Sequence, residues 1–149
     1  MKLLVINGPN LNLLGIREPD IYGNRSYSDL VDYIETLCAK EGIEIEIFQS
    51  NHEGAIVDKI QDALNKFDGI VINPAAYTHT SIAIPDAIHA VRIPAVEVHL
   101  SDINSREPFR RHSYTSAACL KTIAGFGFDG YRIAILHLKE HLNNSDKNL

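Results

Sequence analysis

The chain has 149 residues, of which 45% are hydrophobic and 22% are charged, a size and composition typical of one globular domain. Its 14 Lys and Arg residues against 19 Asp and Glu residues give a formal net charge of −5, and no segment is strongly basic. This balance argues against nucleic acid as the main partner, because phosphate binding requires clustered cations. It leaves room for an acidic small molecule held by a local arginine pocket.

The start of the chain and its cysteines predict a cytoplasmic protein. The apolar run at 3–6 stops at Asn7-Gly8-Pro9, too early for a signal peptide, and no run approaches the roughly 18 apolar residues of a membrane span. Cys38 and Cys119 have neither disulfide nor metal spacing. We expect them to be inert buried thiols in a reducing compartment.

The first half of the chain alternates strand and helix patterns. The predicted strands are 2–6, 43–48 and 69–73, and the predicted helices run from Ser26 to about Lys40 and over 54–66. The second strand alternates Ile and Glu, which indicates an edge strand with one wet face. Gly42 is the expected stop of the first helix, and a long loop over 7–25 precedes it.

The second half continues the alternation. The predicted elements are a helix from Ser81 to about Val91, strands at 95–99 and 118–124, and an amphipathic helix ending near Leu142. A helix remains an alternative at 118–124. Loops at 74–80 and 101–115 separate these elements, and the polar tail 143–149 is expected to be frayed. Residues 1–142 are therefore predicted to form a single domain.

Five strands that alternate with helices predict an α/β fold with helices on both faces of a parallel sheet. Right-handed crossovers give a flavodoxin-like, doubly wound sheet with strand order 2-1-3-4-5. Ligands of such sheets bind beyond the carboxyl ends of the strands, where the strand order reverses. The loops after strands 1, 3 and 4 emerge at that edge, between strands 1 and 3.

These three loops carry most of the unusual polar residues. They read NGPNLNLLGIREPDIYG at 7–23, NPAAYTHTS at 73–81, and EVHLSD at 97–102 with REPFRRHS at 106–113. The glycines form neither a dinucleotide fingerprint nor a P-loop, so a nucleotide site is only weakly indicated. The second loop ends at a helix N-terminus, where free backbone N–H groups suit an anion.

In order and spacing, the runs VINGPNLNLLG, REP, YG, INPAAYTHTS, EVHLS and REPFRRHS resemble the signatures of the type II dehydroquinase family over about residues 2–142. The resemblance implies a 3-dehydroquinate dehydratase, a hydro-lyase of the shikimate pathway of aromatic amino acid biosynthesis. The implied reaction is an anti elimination of water through an enolate, without cofactor, metal or Schiff base. The implied assembly is a homododecamer of four trimers.

The resemblance also implies roles for individual residues. Tyr22 would remove the C2 proton, His99 would protonate the departing C1 hydroxyl, and Arg17 would stabilise the transition state beside Tyr22. The implied substrate-binding residues are Asn73, His79, Asp86, Leu100, Ser101 and Arg110. Asp86 would reach the substrate from a neighbouring subunit, and Asn10, Glu97 and Arg106 would support the site.

The chemistry can be judged from the residues themselves. A free tyrosine has a pKa of about 10, so a tyrosine base near pH 7 needs roughly 4 kcal/mol of preference for the phenolate. Arg17 is the only cation on the loop of Tyr22 before Arg25 and could supply much of this preference. Glu97 precedes His99 by two residues on the same strand face, where a carboxylate can orient the imidazole. Arg110 offers a bidentate fork for a substrate carboxylate.

Each residue also has a plainer interpretation. Taken alone, a loop tyrosine usually packs, a strand histidine is usually structural, His79 could be a helix cap, and the arginines at 106–111 could be a solvated run. His137 and His141 have i, i+4 spacing without the HExxH order, so they are interpreted as a solvated helix face. Three rival functions remain: a noncatalytic module that binds FMN or another phosphate ligand, an assembly protein without activity, and a dehydratase of another hydroxy-ketone.

Overall fold

The computed structural model describes residues 1–16, 18–22 and 24–146, and of Pro19, Tyr22 and Asp146 it describes only the backbone. The strands are β1 (Lys2–Asn7), β2 (Glu44–Gln49), β3 (Gly69–Asn73), β4 (Ala95–His99) and β5 (Lys121–Ala124). The helices are α1 (Pro19–Tyr22), α2 (Tyr27–Glu41), α3 (Glu53–Asp62), α4 (Ala83–Val91) and α5 (Asp129–Asp146). All strand pairs are parallel and the order is β2-β1-β3-β4-β5, which confirms the predicted flavodoxin-like sheet.

The central strands bury both faces, because successive side chains point to opposite sides of the sheet. Leu3 and Val5 of β1 belong to a core shared with α2 and α5, whereas Leu4 and Ile6 belong to a second core shared with α3 and α4. The helices therefore lie on both faces of the sheet, as the sequence predicts. β2 is an edge strand, and its residues are only partly buried.

Helix α2 begins and ends where its sequence signals place the caps. Ser26 accepts a hydrogen bond from the Asp29 N–H, and the Asp29 carboxylate accepts one from the Ser26 N–H, which forms a reciprocal capping box. Gly42 ends the helix in the left-handed conformation, with φ of 68°. Such caps contribute about 1 kcal/mol each.

Three predicted boundaries are wrong, each for a local reason. The strand expected over 118–124 begins at Lys121, because Thr115–Ala118 forms a 3-10 turn in which the Ser113 hydroxyl accepts the Ser116 N–H. Helix α3 stops at Asp62, and the chain then turns through Asn65, whose φ is 62°. Helix α5 continues to Asp146, because a helix that is already nucleated extends through polar residues at little cost.

The loops are more ordered than the sequence predicts. Short 3-10 helices occupy Leu11–Leu13, Ala75–His79, Ile103–Ser105 and Pro108–Arg110. No helix in the described part of the chain has the length and apolar character needed to cross a membrane.

Candidate active site

A cleft lies at the carboxyl ends of β1, β3 and β4, at the predicted edge of the sheet. Its lining residues are Pro9, Asn10, Leu11, Leu14, Asn73, Ala75, Ala76, His79, His99, Leu100, Ser101, Ile103, Arg106 and Arg110. They come from the last residues of β3 and β4 and from the loops that follow β1, β3 and β4, which is where a doubly wound sheet binds its ligand. Eight of the twelve predicted site residues are among them.

The loop after β1 forms one wall and is fixed by close backbone contacts. Gly8 donates its N–H to the Asn73 carbonyl over 2.8 Å, and a Cβ on Gly8 would lie 2.6 Å from the carbonyl carbon of Pro74. Only glycine permits this approach. Asn10 follows with φ of 68° and donates its backbone N–H to the Asn51 side-chain oxygen over 3.0 Å. The loops after β1, β2 and β3 are thereby tied together.

The floor of the cleft is a network of buried amides and a phenol. The Asn73 amide nitrogen donates to the Tyr131 hydroxyl over 3.1 Å, and that hydroxyl donates to the Asn7 amide oxygen over 2.6 Å. The Asn73 amide oxygen accepts from the Ala75 N–H over 3.1 Å. One N–H of Asn73 remains for a ligand, since a primary amide has two. Burial raises the pKa of Tyr131, so this phenol stays protonated.

His99 forms a pair with Glu97 at the end of β4. The His99 Nε2 lies 2.7 Å from a carboxylate oxygen of Glu97, as the strand alternation predicts. Glu97 is fully buried, and His99 is 5% exposed and faces the cleft. Burial raises the pKa of Glu97, but hydrogen bonds from His99, Thr78 and Ser113 together with the charge of His99 outweigh it and hold the pKa below its ordinary value. An ionised Glu97 accepts a hydrogen bond, so the Nε2 of His99 carries the proton that it donates. The Nδ1 of His99 is then the nitrogen that can contact a ligand.

His79 stands beside His99, with the two rings stacked 6.5 Å apart between centroids. Its Nδ1 lies 2.7 Å from the His112 carbonyl oxygen, to which it donates. Burial lowers the pKa of His79, and this effect, together with positive charge at His99 and Arg110, outweighs the hydrogen bond to the His112 carbonyl, which raises it. A neutral His79 with its proton on Nδ1 offers its Nε2 as a hydrogen-bond acceptor.

Arg106 and Arg110 bring positive charge to the cleft. The Arg110 Nε lies 3.1 Å from a Glu107 carboxylate oxygen, and its guanidinium lies 5.0 Å from the Phe109 ring centroid. The Arg106 carbonyl accepts from the Arg111 Nε over 2.9 Å, which shapes the loop between them. The arginines at 106 and 110 are therefore part of a built wall and do not form a simple solvated run.

The remaining predicted residues fall into three groups. Leu100 and Ser101 line the cleft directly after His99. Asp86 is exposed on α4 and does not line the cleft within the described chain. Arg17 and the side chain of Tyr22 lie outside the described residues, so their predicted roles are not tested.

The polar groups do not resemble a metal site in the part of the chain that the structure describes. There, no three His, Cys, Asp or Glu side chains are grouped so that they could hold a metal ion. At the helix N-terminus predicted to suit an anion, the Ser81 hydroxyl accepts the Ile84 N–H over 3.1 Å. One of the free donors of α4 is therefore already satisfied.

The sequence did not predict the buried hydroxyl groups that hold the cleft residues in place. The hydroxyls of Thr78, Ser113 and Thr122 donate to Glu97, and the phenol of Tyr131 holds Asn73. Thr122 and Tyr131 lie far along the chain from the residues that they contact, so local motifs cannot reveal them. The local signals are that Thr78 directly precedes His79 and that Ser113 ends the motif REPFRRHS.

Comparisons with known proteins show which family has this sequence and fold. The family model described as Dehydroquinase class II matches residues 1–139. A 3-dehydroquinate dehydratase from Clostridium acetobutylicum is 57% identical over 143 residues, 96% of this chain and 99% of that protein. A catabolic 3-dehydroquinase from Penicillium rubens is 50% identical over 146 residues, 98% of this chain and 94% of that protein. The crystal structure of a type II dehydroquinase from Butyrivibrio crossotus has a TM-score of 0.92 and 56% identity, covering 93% of this chain and 97% of that chain.

The fold and the cleft define an α/β enzyme with a carboxylate–histidine pair at the carboxyl end of β4, in a cleft at the edge of the sheet where the strand order reverses. The chain belongs to the class II dehydroquinase family, which confirms the resemblance drawn from its motifs. This family is one of hydro-lyases, so the flavin-binding module and the inactive assembly protein are not favoured.

Proposed function

We propose that this chain removes water from 3-dehydroquinate to give 3-dehydroshikimate, as a step of the shikimate pathway. The observation that carries the proposal is the pair of buried Glu97 and His99 at the end of β4, which faces a cleft with two arginines. Removal of a proton next to a ketone requires a positioned base, and departure of a hydroxyl requires an acid. An oriented histidine in a cleft that suits an acidic substrate provides the second group.

Tyr22 acts as the base that removes the C2 proton, with Arg17 beside it. The proposal rests on the motif that carries both residues and on the physical need for a cation, since a phenol ionises near neutral pH only with strong stabilisation. The resulting enolate is stabilised by the polar donors of the cleft.

His99 acts as the acid in the second half of the elimination. Because its Nε2 is held by Glu97, the proton given to the departing C1 hydroxyl is carried by Nδ1. Loss of that hydroxyl as water restores a neutral imidazole that still donates to Glu97. An anti elimination requires the base and the acid to stand on opposite faces of the substrate ring.

The remaining polar groups hold the substrate. Arg110 takes the carboxylate, for which a planar guanidinium is suited, with Arg106 as a supporting charge. His79 accepts a hydrogen bond from a ring hydroxyl through its Nε2, and Asn73 donates its remaining amide N–H. The backbone of Leu100 and Ser101 and the side chain of Asn10 complete the contacts.

We further propose a homododecamer built from four trimers, in which Asp86 of one chain reaches the site of a neighbour. The exposure of Asp86 on α4, outside the cleft of its own chain, supports this arrangement. We also propose a cytoplasmic location, supported by two free cysteines. The role is assigned to aromatic amino acid biosynthesis, although a relative from Penicillium rubens is named as catabolic.

The direct test is an ultraviolet assay with 3-dehydroquinate. Its product carries a conjugated enone carboxylate that the substrate lacks, so absorbance should rise at once and stop at equilibrium. The same rate is expected after extensive treatment with a metal chelator, because the proposed roles belong to side chains. If absorbance does not change at a saturating concentration of substrate, the proposed reaction is overturned. If the rate falls strongly after treatment with the chelator, the metal-free form of the mechanism is overturned.

A further inference from the structure

The carboxylate of Glu97 is surrounded by three hydroxyl groups that the proposed reaction does not use. Thr78 comes from the 3-10 helix after β3, Ser113 from the loop after β4, and Thr122 from β5, where it is the register partner of Glu97. None of the three lines the cleft. Their hydroxyl groups contact the site through Glu97.

Four donors fill the acceptor capacity of this carboxylate. One oxygen accepts from His99 Nε2 at 2.7 Å, from the Thr78 hydroxyl and from the Ser113 hydroxyl at 2.8 Å. The other oxygen accepts from the Thr122 hydroxyl at 2.9 Å and lies 3.0 Å from the Ser113 hydroxyl. A carboxylate has about four lone-pair sites, so four donors leave none open.

The orientation of the Ser113 proton follows from the acceptors around it. The Ser113 oxygen accepts the Ser116 N–H over 3.0 Å, and its single proton goes to Glu97, because a carboxylate oxygen at 2.8 Å is a stronger acceptor than the Thr78 hydroxyl at 2.9 Å. The Thr78 hydroxyl also donates its proton to Glu97. The Thr78 and Ser113 hydroxyl oxygens, which lie 2.9 Å apart, therefore do not share a proton. All hydroxyl protons around the carboxylate point inwards.

We propose that Thr78, Ser113 and Thr122 are positioning residues that keep Glu97 ionised and hold His99 with its proton on Nε2, so that the acidic proton is always on Nδ1. The inference deepens the proposed function, because it rests on His99 as the acid. Protonation of Glu97 would turn an acceptor into a donor and break at least one of the four hydrogen bonds. The uncharged form is therefore disfavoured by geometry.

The proton balance of the step follows from this arrangement. The Nδ1–H bond of His99 breaks and its proton joins the C1 oxygen, while the C1–O bond breaks and its electron pair leaves with water. The enolate electron pair forms the C1–C2 double bond. The Nε2 proton stays where it is, and Glu97 remains a carboxylate throughout.

The hydroxyls also set how strongly the pair holds its proton. Each inward O–H dipole offsets part of the negative charge of Glu97 that His99 experiences. Deleting one hydroxyl makes the pair hold the acidic proton more tightly, which weakens the acid. The other groups near the pair are His79, which stacks on His99, Arg110, whose charge acts on His79, and Cys119, whose pKa is raised to about 12 by burial and by Glu97. They are unchanged in the variants below.

Thr122 gives the sharpest test, because its hydroxyl contacts only the carboxylate oxygen that is remote from His99. Thr122→Val removes the hydroxyl with little change in shape, and Thr122→Ser keeps it. Thr115→Val is the matched control, because the buried Thr115 hydroxyl has no hydrogen-bond partner among the described residues. Ser113→Ala is a second deletion, in case Thr122→Val does not fold.

The experiment combines a pH–rate profile with ¹⁵N NMR of the His99 ring. We expect parent protein and Thr122→Ser to show the Nε2–H form at high pH. In Thr122→Val and Ser113→Ala, the pH at which the pair loses its proton should rise, the falling limb of the profile should move with it, and kcat should drop about 3- to 10-fold with little change in KM. Thr115→Val should match the parent.

Two results would overturn the inference. One is a Thr122→Val profile and spectrum that match the parent. The other is a Thr122→Ser variant as impaired as Thr122→Val, which would show that packing and not the hydroxyl matters. If the ring titration moves while the rate profile does not, the hydroxyl arrangement stands, and the proposed acid role of His99 is the part that fails.

Discussion

A carboxylate in the middle of a buried strand is tolerated only when its charge is compensated, since an unpaired charge in an apolar interior costs several kcal/mol. Glu97 meets this condition through one imidazole and three hydroxyls. The same contacts that stabilise the fold therefore orient the histidine of the site. Function and stability are linked at this residue.

Glu97→Gln should show this link as a change in acid stability. The contacts hold the folded-state pKa of Glu97 below its ordinary value, so their contribution is present above the unfolded pKa of about 4.3 and is lost as pH falls through the folded pKa. Glutamine does not titrate and cannot accept from all four donors, so the variant should be less stable at pH 7 by roughly 3 kcal/mol. Urea unfolding between pH 7 and 3 should show the gap closing as pH falls. A constant gap would contradict the assignment.

Arg17 is predicted to lower the pKa of the Tyr22 phenol. Arg17→Ala should cut kcat severely and move the limb of the pH–rate profile that reports the base to higher pH, because the phenolate loses its cation. Arg17→Lys should rescue only part of the rate, since an ammonium lacks the planar fork. The measurement is a pH–rate profile of both variants beside the parent. An unmoved limb in Arg17→Ala would remove Arg17 from this role.

At the scale of elements, the cleft exists because the loop after β1 passes close to the loop after β3. Gly8→Ala should disrupt this approach, because its Cβ would lie 2.6 Å from the Pro74 carbonyl carbon. We expect a loss of about 1–3 kcal/mol in stability and a raised KM, as for other overpacked sites. Gly54→Ala in α3 is the control, because its Cβ meets no atom within 4 Å and helix propensity favours alanine. Equal behaviour of the two variants would refute the close-approach argument.

The strands and the position of the site follow from the sequence, whereas element ends and remote contacts do not. Apolar runs define β1 and β3 because both of their faces are buried, and the three loops carry the motif residues. The predicted start of β5 is wrong because Ser113 and Ser116 form a local turn that the hydropathy pattern does not reveal. The contact between Thr122 and Glu97 depends on strand order and register, which become definite only in the folded sheet.

At the scale of the whole molecule, we expect the chain to assemble into a homododecamer. The chain should sediment as a large closed oligomer of twelve subunits. If each site takes Asp86 from a neighbouring chain, two inactive variants mixed in one oligomer should restore activity to some of the sites. After co-refolding, equal amounts of inactive Asp86→Ala and His99→Ala chains should recover about a quarter of the parental activity, because each site draws one residue from each of two chains. The control is each variant refolded alone. A fully active monomer, or no recovery in mixed oligomers, would contradict shared sites.

The order of the two proton transfers is the central claim of the mechanism. It predicts that Tyr22→Phe and His99→Ala differ in kind, because the first variant lacks the base that forms the enolate and the second lacks the acid that completes the elimination. Both should dehydrate 3-dehydroquinate about 10²–10⁴-fold more slowly than the parent.

The measurement that tests this most directly is deuterium incorporation at C2 of 3-dehydroquinate in D₂O, followed by NMR beside the dehydration rate. We predict that His99→Ala continues to exchange the C2 hydrogen although its dehydration is slowed, and that both reactions are slowed in Tyr22→Phe. Exchange that persists in Tyr22→Phe and disappears in His99→Ala would reverse the two roles and contradict the mechanism.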